Sequence, residues 1–146
     1  MPINVRERIY NRAFSERGLA QVVMWEVMAI ANQEIITIIF ESKNSTWRQG
    51  VWLMTDKGLL LNQQLYPSVV LWAETAPLEV SCECYTESGL LHVYNVWDSG
   101  RGLKMESQNW SSGMLVENLA NGRRYRCNDI GFETQFDKLV FRIEKG

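Results

Sequence analysis

The sequence predicts a mostly β chain: an antiparallel β-sandwich or open barrel of about eight short strands with a short N-terminal helix. Three observations carry this expectation. Short apolar or alternating runs recur at roughly ten-residue spacing from Glu34 onward, as in sandwiches and barrels rather than in α/β folds. The run "LEVSCECYT" (78–86) alternates, with Leu78, Val80, Cys82 and Cys84 on one face and Glu79, Ser81 and Glu83 on the other. That is the pattern of a strand wetted on one side. Finally, "ANG" (120–122) stands between "MLVENL" and "RRYRCN", a local hairpin signature.

Each element has its own warrant. Residues 4–17 place Val5, Ile9 and Ala13 at four-residue spacing among charges. This fits a short amphipathic helix, with Asn4 as N-cap and Gly18 as its stop. Next comes "LAQVVMWEVMAIANQEIITIIF" (19–40), with two readings. Its Ala, Met, Gln and Glu content suits a buried helix over the first half. Val22, Val23, Trp25, Val27 and Ile30 suit a strand that turns at "ANQE" and returns as a hairpin, and this reading is favoured. "EIITIIFES" (34–42) is apolar on both faces, like a central strand. "VWLMT" (51–55) is a strand closed by a turn at "DKG" (56–58) before "LLLN" (59–62), and "SVVLWAE" (68–74) is another. "ESG" (87–89) turns into "LLHVYNVW" (90–97), where Asn95 lies among hydrophobes. "KLVFRIE" (138–144) points Leu139, Phe141 and Ile143 inward by parity.

The bulk properties narrow the function. The 146 residues fit one domain, 1–146, without repeat or linker. The chain is 46% apolar and 22% charged, with a formal net charge of −2. That balance argues against nucleic acid and anionic membranes as partners. No apolar run reaches the ~18 residues of a membrane helix. The N-terminal stretch carries arginines where a signal peptide has an apolar core, so a cytoplasmic location is expected. Three cysteines are too few and too odd for a disulfide framework. The triplets "NST" (44–46) and "NWS" (109–111) then carry no glycosylation meaning.

Catalytic signatures are sparse. His92 is the only histidine; it is read as structural, because a hydrolytic triad needs a partnered base. "CEC" (82–84) is too tight for a zinc knuckle, so neither a metal nor a cofactor is expected. Asp98, Glu106, Glu117, Asp129, Glu133 and Asp137 could supply an acid–base pair of the glycosidase type. "RRYR" (123–126) sets Arg124 and Arg126 on one face, either as an anion site or paired with Glu117 across the strands.

The longest aperiodic segment is Asp98–Gly113, and loops of that length in compact domains are often functional. It carries Asp98, Arg101 and Trp110; a second polar segment, 127–137, carries Asn128, Asp129 and Glu133. Parity opens both at the base of the "ANG" hairpin. These six residues are the expected ligand-binding set, and the expected function is a non-enzymatic binding module for a small polar ligand or sugar. The alternatives are a protein-interaction or self-associating (homodimer) protein, with edge strands such as "MLVENL" as contact, and a carboxylate-based hydrolase.

Overall fold

The computed structural model describes residues 4–146. In chain order the elements are β1 (Ile9–Tyr10), α1 (Arg12–Glu16), β2 (Val23–Ala29), β3 (Glu34–Lys43), β4 (Arg48–Leu61) and β5 (Gln64–Trp72). They continue with β6 (Glu79–Cys84), β7 (Leu90–Asp98), β8 (Gly113–Leu119), β9 (Gly122–Asn128) and β10 (Leu139–Lys145). All pairings are antiparallel. Eight strands close a barrel in the order β2-β7-β4-β6-β3-β10-β9-β8, and β8 returns to β2 through Val23 and Met114. β5 lies off this path and, among the described residues, pairs only with β4. No helix among the described residues is long and apolar enough to cross a membrane.

The barrel is filled from every wall. Ile36 and Ile38 of β3, Leu53 of β4, Leu91 and Val93 of β7, and Leu139, Phe141 and Ile143 of β10 are fully buried. They alternate with outward residues along each strand, as parity requires, and each stabilises the fold by roughly 1.5–3 kcal/mol relative to exposure. The three cysteines are buried and free. The "ANG" hairpin forms as expected, joining β8 to β9 with Leu119 opposite Gly122. Arg124 meets Glu117 across it at 3.2 Å.

Four expectations need correction. The helix spans five residues, not 4–17, and Asn11 rather than Asn4 caps it, accepting from the Phe14 N–H. Ile9 and Tyr10 are drawn instead into pairing with Trp25 and Val23. Gly18 does stop the helix: it takes φ +89°, and the N–H groups of Gly18 and Leu19 bond to Ser15 O and Phe14 O, a Schellman ending.

Within 19–31 the chain forms the strand Val23–Ala29 rather than a helix, yet β2 and β3 do not form a hairpin. β2 runs on to β7, while β3 pairs with β6 and β10. The "ANQE" turn rides over the corner joining β6 to β7: Ile30 N–H donates to Gly89 O and Gln33 N–H to Cys84 O. "DKG" is likewise no hairpin turn but a bulge inside β4, where the register shifts between Met54 and Leu59. The Asp56 carboxylate accepts from the Thr86 hydroxyl and the Glu87 and Ser88 N–H groups. The bulge thereby moves β4 from β7 onto β6. The turn itself is Asn62–Gln63, with φ of +49° and +67°, as a two-residue hairpin loop demands. Finally, Leu78 precedes β6 and is 75% exposed, so the inward face of that strand begins at Val80.

The seam between β2 and β8 holds one register pair, Val23 with Met114. A buried side-chain cluster then ties β2 to β9, the strand after β8. Glu26 of β2 is fully buried and accepts a bidentate pair from Arg8 at 2.7 and 2.9 Å. The same carboxylate accepts from Arg123 Nη1 at 3.0 Å and the Tyr125 hydroxyl at 2.9 Å. A buried carboxylate needs such partners. The inward half of "RRYR" thus serves an internal anion.

Candidate ligand cleft at the barrel mouth

β3 and β4 are joined by Asn44–Trp47, a polar connection at one end of the barrel. It faces the segment that follows β9. Between them lies a cleft of about 660 Å³ whose walls include Lys43, Asn44, Thr46, Trp47, Asp129 and Glu133, within the size range of small-molecule sites.

Buried amides hold the lining segment in place from behind. Asn128 is fully buried: its Oδ1 accepts from the Gly113 N–H at 2.6 Å, its Nδ2 donates to Glu133 O, and its own carbonyl accepts from Asn95 Nδ2. Asn95, the polar oddity of β7, is therefore an anchor for the segment after β9. Asp129 follows, 3% exposed, and accepts from Gln49 Nε2 at 3.0 Å. Burial pushes its carboxyl above the ordinary range, against the Gln49 hydrogen bond and the Lys138 charge. Gln49 Oε1 and Asp137 Oδ1 are buried acceptors without a partner among the described residues.

The charges on the rim are matched in pairs. Lys138 meets Glu133 at 3.1 Å, and Lys43 pairs with Glu74. Asn44 Nδ2 donates to Asp137 at 2.8 Å. Burial raises the Glu74 carboxyl, but its bonds with Lys43 and the Gln49 N–H outweigh this and leave it below the usual range.

Of the six residues expected from the sequence, Asp129 and Glu133 line this cleft and Asn128 supports it from behind. The other three lie elsewhere. Asp98 ends β7 opposite Arg48, and its carboxylate accepts from the Gly100 N–H. Arg101 pairs with Glu106 and donates to Ser99 Oγ. The 98–113 segment is thus ordered by its own contacts: Glu106 bridges back to Trp97, and Gln108 donates to Met24 O. Trp110 is 62% exposed and packs edge-on against Phe132 at 4.8 Å, beside the Phe14 cluster. It is exposed, and its aromatic contact is with Phe132.

Lys43, Asn44, Thr46, Trp47, Gln49 and Lys138 escaped the sequence reading. One signal was available: "KNSTWRQ" (43–49) is a dense polar run with one tryptophan, set between two strands. Fold and cleft together define a small closed antiparallel barrel with a mixed-polarity cleft at its mouth. No protein-family model matches the chain, and the comparison with curated proteins found no match.

Proposed function

We propose that the protein is a non-enzymatic binding module whose cleft takes a small, neutral, multiply hydroxylated ligand such as a sugar. The observation that carries this reading is the pairing of charges at the cleft. Each lysine there already has a carboxylate partner, so the cleft offers many hydrogen-bonding groups with little net field. Such a site suits a neutral polar ligand better than an ion. Asp129 and Glu133 supply acceptors, Asn44 and Thr46 supply donors, and Trp47 supplies a flat apolar surface. A buried carboxylate kept at the edge of a cleft costs stability, which favours a functional role for Asp129.

Tryptophan fluorescence titrated with a panel of monosaccharides and disaccharides tests the proposal. Saturable quenching that Asp129→Ala abolishes supports it. A linear response across the whole panel removes it.

A second reading, self-association, draws on β5. Among the described residues its one strand partner is β4, and Leu65 on it is 54% exposed. Free strand edges invite pairing with a second copy. Light scattering that shows a monomer at high concentration argues against this.

A further inference from the structure

His92 is 4% exposed, and among the described residues only one of its ring nitrogens has a hydrogen-bond partner. Nδ1 accepts from the Trp25 indole N–H at 3.0 Å. That bond fixes both ring orientation and tautomer, so the imidazole proton sits on Nε2. Nε2 takes part in none of the hydrogen bonds among the described residues, and it is not among their fully buried unpartnered atoms. Leu91 and Val93 fill the barrel, so parity turns His92 to the outer side of β7, across from Met54 of β4. There it lines a cleft of about 550 Å³, closed on one side by Asn4–Arg6 and distinct from the one at the barrel mouth.

The two halves of this cleft differ in character. Val5, Met54, Pro67 and Leu90 give it an apolar wall. Its charged groups are Arg6, Asp56, Lys57 and Glu87. Asp56 is committed to the 86–88 backbone and hydroxyl donors, and Lys57 lies 3.5 Å from Glu87. Arg6 has no ion-pair partner among the described residues. A fixed neutral donor and an uncommitted guanidinium therefore border one cleft that also has an apolar wall.

We propose that this second cleft binds an amphiphilic organic acid, its carboxylate held by His92 Nε2–H and Arg6 and its alkyl body against Val5, Met54, Pro67 and Leu90. Guanidinium and carboxylate are matched in geometry, and charge-assisted bonds are the strong ones. The apolar wall accounts for the rest of the ligand. The assignment is independent of the sugar site.

Because His92 is the sole histidine, long-range ¹⁵N–¹H spectra of the intact protein show one imidazole. Hexanoate is the probe; hexanol and acetate are the controls. A saturable shift of the His92 Nε2 signal with hexanoate, absent with hexanol and weak with acetate, is the expected result. Arg6→Gln, a substitution on an exposed segment, should weaken hexanoate by about tenfold while the free-state imidazole spectrum stays unchanged. No saturable hexanoate shift overturns the proposal, as does an equal response to hexanol or undiminished affinity in Arg6→Gln.

Discussion

Replacing Glu26 by glutamine removes a charge that ties β2 to β9 and to Arg8. The carboxylate is fully buried, and it serves Arg8, Arg123 and Tyr125 at once. Loss of one partner from a buried ion pair costs about 3–5 kcal/mol, because the remaining charge is left uncompensated. Here the Arg8 and Arg123 side chains keep 27% and 28% exposure. Water therefore recovers part of the loss, and the lower figure, about 3 kcal/mol, is expected. For a chain of 146 residues that corresponds to a fall in Tm of about 6–12 °C. Thermal unfolding followed by circular dichroism measures it. A double-mutant cycle with Arg8→Met shows whether the loss belongs to the pair. A fall of less than about 3 °C would refute the claim that this carboxylate holds β2 to β9, since it equates to about 1 kcal/mol or less.

Gly122→Ala strikes a different point in the barrel. An added Cβ would lie 1.9 Å from the Ile143 carbonyl oxygen, at a φ of +154°, so β9 and β10 must part there. A loss of at least about 2 kcal/mol is expected in urea unfolding, and a near-neutral result contradicts the packing described. Asp129→Asn probes pH. Burial raises the Asp129 carboxyl, so the folded state keeps its proton to higher pH than the unfolded chain. The stability linked to that proton is present in acid and lost as pH rises from the ordinary carboxylate range through the raised value. The asparagine variant cannot ionise, so its stability relative to the parent should climb across that window; a flat difference from about pH 3 to about pH 8 contradicts it. Trp110→Ala, at a site 62% exposed, should leave sugar-induced quenching of the remaining tryptophans intact. Loss of binding would return the site to the 98–113 segment.

What was legible in the sequence was local. Alternation in 138–144 placed Leu139, Phe141 and Ile143 inside, where they are fully buried. "ANG" identified the β8–β9 hairpin, and parity separated Arg124 from Tyr125. What escaped was decided by partners far along the chain. "DKG" carries ordinary turn residues, and only the 86–88 segment bonded to Asp56 makes it a bulge. The four-residue spacing of Val5, Ile9 and Ala13 is overridden by pairing of Ile9 and Tyr10 with β2. The cleft was half visible for the same reason. Asp129 and Glu133 stand in a polar segment that composition identifies, but their neighbours Asn44–Trp47 arrive from 82 or more residues earlier in the chain. The 98–113 segment drew notice by its length. Its polar groups are largely bonded to one another or to nearby backbone, which sequence spacing does not reveal.

Backbone amide chemical-shift mapping during a sugar titration tests the central claim most directly. If the barrel mouth is the binding site, saturable shifts cluster on Lys43–Trp47 and on Asp129–Lys138 and are absent in Asp129→Ala. Shifts confined to Asp98–Trp110, or none on either wall of the cleft at saturating sugar, would contradict it.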